Sequence, residues 1–149
     1  MKNNEDMLAI RITYDDDSRS ANEIMNIYLN NALENEGETW YSTDVVIGRY
    51  RNPGKAIFFN NTKNSEFYYI ADISEIRKFK NDQTIVERSI PEVYKDDPKK
   101  TWILISNIKQ IERDFLKKYK ARIDDKSLFD KLTQNKKKQK FTRIYFYKE

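Results

Sequence analysis

Apolar and polar side chains alternate along residues 7–14, where every second residue is apolar. This period of two is typical of a strand with one buried face. The residues predicted on that face are Leu8, Ile10, Ile12 and Tyr14. Ser20 and Glu23 then have the spacing of a capping box, which predicts a helix over residues 21–36 that ends at Gly37. Its predicted buried face carries Ile24, Met25, Tyr28, Leu29, Ala32 and Leu33.

The rest of the pattern predicts mainly strands. An extended segment over 39–48 and an Asn-Pro-Gly turn precede a hairpin of two strands, over 56–60 and 67–79. The later predicted elements are a weaker strand over 83–88, a loop over 93–100, a strand over 101–106, a helix over 107–119, a helical turn over 127–132 and a final strand over 141–149. In the strand over 101–106, Trp102 and Leu104 share a face.

This order of elements predicts an α+β fold with a curled mixed β-sheet or a small β-barrel, flanked by a few helices. A doubly wound parallel sheet does not fit, because helices do not alternate with strands. The 149 residues suit a single domain over 1–149. The three glycines form no phosphate-binding loop, which excludes nucleotide hydrolysis by a P-loop.

Two residue types are missing from the chain. It has no cysteine and no histidine, which excludes a thiolate nucleophile, a zinc–sulfur site and any catalytic triad built on imidazole. We therefore expect a protein that is not an enzyme and that uses no cofactor. No apolar run reaches the roughly 20 residues of a membrane helix, and the first residues do not resemble a signal peptide. A cytoplasmic protein without a membrane partner is the resulting expectation.

Charge is distributed unevenly along the chain. Residues 1–48 carry three basic side chains against ten acidic ones, a net −7. Residues 49–149 carry 25 basic side chains against 14 acidic ones, a net +11. The basic part interleaves lysines with aromatic rings, which is the composition that single-stranded or extruded-base binding requires. A solvated lysine-rich surface is the alternative interpretation.

The stretch TWYSTD at 39–44 is the candidate ligand pocket. A base needs an aromatic face and a few donors and acceptors for its edge, and this stretch offers both. The candidate residues are Trp40, Tyr41, Ser42, Thr43 and Asp44. In the alternative, Trp40 anchors the core and the residues after it form a turn. Trp102 is a further candidate, with burial in an apolar strand as its alternative.

Basic residues in three segments are candidates for phosphate binding. They are Arg49, Arg51 and Lys55 near the turn, Lys99 and Lys100 before the strand over 101–106, and Lys136, Lys137, Lys138 and Lys140 before the last strand. Pairs and triplets of aspartate at 15–17, 96–97 and 124–125 raise the question of a magnesium site. Carboxylates before a helix are favoured without any metal, so we predict none.

From TWYSTD onward the segments resemble the PUA-like superfamily, and within it the EVE and ASCH domains. The resemblance rests on that stretch and on GKAIFF, FYYIADISEI, KKTWILISNIKQI and LFDKLTQNKKKQKFTRIYF. Before the hairpin, Gly54-Lys55 replaces the usual Gly-Asp, and the usual glycine is missing from the strand over 67–76. The resemblance implies a small curled barrel with a cleft for an extruded, often modified, base or a stretch of RNA.

These observations predict a non-catalytic module that binds nucleic acid, single-stranded or with an extruded base. Two alternatives remain open. A small phage or mobile-element protein would bind a nucleic-acid enzyme, such as a CRISPR or restriction effector, and its acidic N-terminal stretch would imitate nucleic acid. An enzyme acting on RNA or on a small amide, as the ASCH resemblance allows, would need a site built from Lys55, Tyr69 and Asp44.

Overall fold

The structure is a computed structural model that describes residues 6–15, 17–62, 65–133 and 143–148. Its strands are β1 (Met7–Arg11), β2 (Glu38–Thr43), β3 (Lys55–Asn60), β4 (Phe67–Gln83), β5 (Lys99–Gln110), β6 (Tyr119–Ala121) and β7 (Arg143–Lys148). Its helices are α1 (Ala21–Glu34) and α2 (Leu128–Thr133), with short 3-10 helices at Glu92–Tyr94 and Arg113–Lys118. None of the helices within these residues is long and apolar enough to cross a membrane.

One mixed sheet contains all seven strands, in the order β2-β5-β4-β3-β1-β7-β6. β1 and β3 run parallel, and the other neighbouring pairs run antiparallel. The sheet curls: the Tyr41 ring on β2 lies 4.7 Å from the Phe58 ring on β3, although two strands, β5 and β4, lie between β2 and β3 in the sheet. In the described residues β2 and β6 each pair with one strand only, so the sheet is open. The α+β prediction is confirmed, and its barrel variant is wrong.

Each face of the sheet carries its own apolar core. On the first face, α1 and the segment after β2 cover a cluster that includes Tyr28, Tyr41, Phe58 and Ile103. On the second face, α2 and the second 3-10 helix cover a cluster around Phe59. We call these the α1 face and the α2 face. β1 lies between β3 and β7 and is buried on both sides, so Ala9 is as buried as Leu8.

Helix α1 begins as the sequence predicts. The Ser20 hydroxyl accepts a hydrogen bond from the Glu23 backbone N–H, and the Glu23 carboxylate accepts one from the Ser20 backbone N–H. Four of the predicted face residues are buried, namely Ile24, Met25, Tyr28 and Ala32. Leu33 is 82% exposed, which corrects its placement on that face. The contact face is narrower than the apolar stripe, because α1 packs on the edge strand β2 at this end.

Two predicted elements are wrong. Residues 107–110 continue strand β5, and 113–118 form a 3-10 helix, where a single helix over 107–119 was expected. A bulge at Asn107 explains the error, because it adds one residue to β5 opposite β4 and places Ile105 and Ile108 on the same face. Their spacing of three imitates a helix. Residues 84–88 form no strand, and they fold over an apolar cluster on the α2 face.

The other predicted elements are found in the structure. The hairpin of β3 and β4 is confirmed, with β4 extended to Gln83. The helical turn near 127–132 is confirmed as α2, and the last strand as β7. Lys136, Lys137, Lys138 and Lys140 lie outside the described residues.

The bulge constrains the backbone conformation of Asn107, and this constraint can be tested. Its φ is 55°, in the left-handed region, where asparagine is tolerated, glycine is relaxed and a β-branched residue is strained. Asn107→Val and Asn107→Gly both remove the amide hydrogen bond to Asp72, so their difference isolates the backbone conformation. We expect the valine variant to be about 1–2 kcal/mol less stable than the glycine variant in urea unfolding. Equal stabilities would contradict this role of the bulge.

Candidate functional site

A cleft of about 350 Å³ opens between the end of β1, helix α1, the end of β2 and the start of β5. Ends of β1 and β2 meet here only because the sheet curls. One side wall is formed by residues 11–15, which are the last residue of β1 and the loop after it. The other is formed by residues 41–45, at and just beyond the end of β2. Tyr28 and Ile24 of α1, with Tyr94, Asp97 and Lys99, complete the lining.

Three tyrosine rings packed against one another form the base of the cleft. The Tyr28 ring lies 4.9 Å from that of Tyr41 and 5.4 Å from that of Tyr94. Burial raises the pKa of Tyr28 to about 12, and it raises the pKa of Tyr41 and of Tyr94 as well. All three hydroxyls therefore stay protonated through the physiological pH range. They supply hydrogen-bond donors and acceptors and no ionised base.

Asp15 is the centre of a polar network at one side of the cleft. Its carboxylate accepts hydrogen bonds from the Tyr94 hydroxyl at 2.7 Å, the Arg19 guanidinium at 2.9 Å and the Arg19 backbone N–H at 3.0 Å. Burial raises the pKa of Asp15, but these hydrogen bonds and the Arg19 charge outweigh it and lower the pKa to about 2. The network ties the loop after β1 to the first 3-10 helix.

The opposite wall is the end of β2, and it contains most of the predicted pocket residues. Tyr41, Ser42, Thr43 and Asp44 all line the cleft, and Lys99 joins them from β5. The Ser42 backbone N–H lies 3.4 Å from the Tyr28 hydroxyl, and the Thr43 hydroxyl accepts from the Val45 N–H at 3.1 Å. The Lys99 ammonium lies 3.6 Å from the Asp44 carboxylate and 3.7 Å from that of Asp97.

The structure places Trp40 and Trp102 on the other face of the sheet. Side chains alternate along β2, so Trp40 points away from the cleft that Tyr41 lines. Both indoles are buried in a cluster with Ile85 and Ile90, and Trp102 donates its Nε1–H to the Gln83 carbonyl at 2.8 Å. No base can stack on these rings while this packing is kept. The core interpretation of both tryptophans is the one that fits.

The predicted phosphate-binding residues lie on both faces of the sheet. Arg49 and Arg51 lie in the turn after β2, where Arg51 pairs with Asp6. Lys55 lies on the α2 face, with its ammonium 2.5 Å from the Asp72 carboxylate. Lys100 is half-buried and points to the opposite side of β5 from Lys99. The four residues therefore do not form one clamp with Lys99.

A wider groove of about 750 Å³ lies on the α2 face, between β4, β5 and the second 3-10 helix. Lys55, Asp72 and Asn107 form a hydrogen-bonded row along it. The Lys55 ammonium and the Asn107 amide lower the pKa of Asp72. The polar groups of this row satisfy one another, so we do not assign the groove a ligand.

Sequence reasoning missed several residues of the cleft, among them Tyr14, Tyr28 and Tyr94. Tyr28 has the helical spacing of a core residue, and nothing local indicates that its hydroxyl reaches β2. Tyr14 was placed on a buried strand face, but β1 ends at Arg11 and Tyr14 is 74% exposed at the cleft. The aspartates at 15–17 were the available signal, since Asp15 caps the loop before α1.

Metal binding finds no support in these side chains. Residues 6–15, 17–62, 65–133 and 143–148 contain no group of three or more acidic side chains that would hold a metal ion. Asp15 and Asp17 instead share the Arg19 guanidinium.

Similarity to known proteins adds nothing to this geometry: no protein-family model, no curated protein and no solved structure matches the chain. The function must therefore be argued from the residues of the molecule. The PUA-like resemblance stays a prediction from the sequence.

Asp15 makes stability depend on pH. Its folded-state pKa of about 2 lies below the ordinary 3.8, so the carboxylate stabilises the fold above about pH 4, and this is lost as pH falls toward 2. We expect Asp15→Asn to lower the free energy of unfolding at pH 7 by about 1–2 kcal/mol. The gap to the unsubstituted protein should close between about pH 4 and 2, measured by urea unfolding.

Asp17→Asn is the matched control for this experiment. Asp17 also contacts Arg19, at 3.1 Å, but its side chain is exposed, so we expect a loss of at most about 0.5 kcal/mol. Equal losses for the two variants, or a gap for Asp15→Asn that persists at pH 2, would contradict the network.

Proposed function

We infer that this protein is a non-catalytic binding module for nucleic acid, and that a single base of a single-stranded or locally opened strand occupies the cleft. The observation that carries the inference is the meeting of Tyr41, Ser42, Thr43 and Asp44 with Lys99 around one cavity. The sequence singles out the four residues of the β2 end for base-binding chemistry and Lys99 for phosphate binding, and two different strands contribute them.

The size and chemistry of the cleft support a base as its occupant. A volume of about 350 Å³ lies at the lower end of small-molecule sites and has room for one base with its sugar. The Thr43 hydroxyl and the Asp44 carboxylate match the donors and acceptors of a base edge. Tyr14, exposed at the rim, supplies a ring on which a base can stack.

A binding role suits these side chains better than catalysis. A general base must lose its proton near neutral pH, and burial holds the pKa of Tyr28, Tyr41 and Tyr94 far above that range. Asp15 is held ionised by Arg19 and Tyr94 and belongs to the framework. These properties support a site that recognises a ligand without transforming it.

The finer fold assignment is part of the same proposal. We assign the chain to the PUA-like superfamily, as an EVE or ASCH type of domain. The flanking helices and the curl of the mixed sheet support this assignment, as does a cleft lined by residues 41–44, within the segment where the resemblance begins; the open sheet differs from the closed barrel that the resemblance implies.

Tyr14 provides the direct test, because it is exposed and its loss should leave the fold intact. Stacking on one aromatic ring contributes about 1–3 kcal/mol per base, so we expect Tyr14→Leu to weaken binding roughly five- to hundredfold. Tyr14→Phe keeps the ring and should bind like the unsubstituted protein. The measurement is fluorescence anisotropy with labelled single-stranded oligonucleotides of each base, at two salt concentrations.

Tryptophan emission supplies an internal check in the same titration. Trp40 and Trp102 are buried on the other face, so we expect little quenching when an oligonucleotide binds. Binding that is indifferent to Tyr14→Leu would contradict the base cleft. A protein that binds no oligonucleotide even at low salt would refute the proposed function and favour a protein partner instead.

A further inference from the structure

Arginines and tyrosines cluster on the part of the α1 face where β7 and the turn after β2 meet. Strand β7 contributes Arg143, Tyr145 and Tyr147, which share a face because they are two residues apart. The turn after β2 and the end of β6 contribute the rest. We call the whole set the arginine–tyrosine surface; it consists of Arg49, Tyr50, Arg51, Arg122, Arg143, Tyr145 and Tyr147.

Each arginine of this surface lies over a tyrosine ring. The guanidinium carbons of Arg51 and Arg143 lie 4.7 Å and 5.7 Å from the centre of the same ring, that of Tyr145. Arg122 lies 4.4 Å from the Tyr147 ring, and Arg49 lies 5.5 Å from the Tyr50 ring. Stacking on a ring leaves the edge of a guanidinium, with its N–H donors, turned outward.

Positive charge is in excess here. The Asp6 carboxylate accepts hydrogen bonds from both Arg51 and Arg122, and the Asp125 carboxylate accepts one from the Tyr147 hydroxyl. Arg49 and Arg143 form no ion pair with any residue in the described part of the chain. Among the described side chains, these four guanidinium groups and two carboxylates sum to +2, and the Lys78 ammonium under the turn adds a further positive charge. Gathered like charges repel one another, and a bound anion relieves that repulsion.

The turn that carries Arg49 to Arg51 is held in place by the sheet. The Lys78 ammonium donates hydrogen bonds to the Gly48 carbonyl at 2.9 Å and to the Arg51 carbonyl at 2.6 Å. The Gly48 N–H donates to the Tyr145 hydroxyl at 2.8 Å. A Cβ on Gly48 would meet Arg51 Cγ at 3.0 Å, so a larger residue at this position would require the Arg51 side chain to shift. Fixed cations lose little entropy when they bind a ligand.

We propose that the arginine–tyrosine surface binds the phosphate backbone of single-stranded nucleic acid. Arg49 and Arg143 contact phosphates, and Tyr50, 86% exposed, stacks on a base beside them. The surface offers several guanidinium groups and an exposed ring beside them, which suits a chain of phosphates and bases better than a single small anion. The proposal rests on the proposed function for its ligand class and adds a second contact region to it.

The chain connection between the two regions suits one continuous ligand. Asp44 at the cleft and Arg49 at the surface are five residues apart, so their Cα atoms are at most about 18 Å apart. At a stacked spacing of about 3.4 Å, roughly five nucleotides cover that distance. A short strand with one base in the cleft therefore reaches the arginines.

The test is the salt dependence of binding by the full chain with the double substitution Arg49→Gln and Arg143→Gln. Each phosphate contact in a single strand contributes about 0.7 to the slope of log K against log salt, so we expect the slope to fall by about 1.4. Affinity for a 20-nucleotide oligo(dT) at low salt should fall about tenfold or more. Lys80→Gln with Lys109→Gln is the control, since it removes two exposed charges elsewhere.

Outcomes of this test, a competition experiment and two Tyr50 variants decide the result. An unchanged slope for the arginine variant, or an equal fall for the lysine control, would overturn the proposal. Poly-glutamate that competes as well as oligo(dT) would overturn the choice of nucleic acid as ligand. Tyr50→Leu should weaken oligo(dT) binding several-fold while Tyr50→Phe does not, and equal behaviour of the two would remove Tyr50 from the surface.

An abasic 20-mer separates this proposal from the base cleft. It keeps every phosphate and lacks bases, so the arginine variant should lose about as much affinity for it as for oligo(dT). If the cleft is not a base site, Tyr14→Leu has no effect on oligo(dT) while the arginine variant still reduces the slope. If the surface is not a phosphate site, the arginine variant leaves the slope unchanged while Tyr14→Leu still weakens binding to oligo(dT).

Discussion

The contact between Tyr41 on β2 and Phe58 on β3 is the constraint on which the rest of the molecule depends. These strands are separated by β5 and β4 in the sheet, so their rings meet at 4.7 Å only when the sheet bends toward α1. Tyr28 of α1 packs against Tyr41 and keeps the bend filled with aromatic rings. The same bend brings the loop after β1 to the end of β2, and the cleft is the space that remains between them.

Alternation along β2 divides structural and candidate functional side chains between the two faces. Trp40 enters the apolar cluster that residues 84–90 cover, whereas Tyr41 points to the cleft, one residue later. The edge of the sheet at β2 is also protected from pairing with another strand. The outward backbone N–H groups of Trp40 and Ser42 reach the Ser89 carbonyl and the Tyr28 hydroxyl, which leaves these positions of the edge unavailable to another strand.

Features that depend on neighbouring residues could be predicted from the sequence, whereas features that depend on contacts between distant segments could not. The capping box at Ser20 and Glu23 is complete within four residues, and α1 begins there as predicted. The helix expected over 107–119 failed because the bulge at Asn107, which depends on pairing with β4, produced a helical spacing by chance. Four residues of the cleft wall were predicted as one stretch, but the burial of Trp40 depends on a loop 45 to 50 residues away in sequence.

The two regions differ in charge. In and beside the cleft, three carboxylates (Asp15, Asp44 and Asp97) are balanced by three cations (Arg11, Arg19 and Lys99), so these groups have no net charge and the cleft suits the uncharged edge of a base. The described side chains of the arginine–tyrosine surface have an excess of positive charge, which would attract phosphates. A strand that crosses from one to the other would present a base to the first region and its backbone to the second. The cleft offers hydrogen-bonding groups for a base and the surface offers guanidinium groups for phosphates, and the five-residue connection between Asp44 and Arg49 keeps both within reach of one short strand.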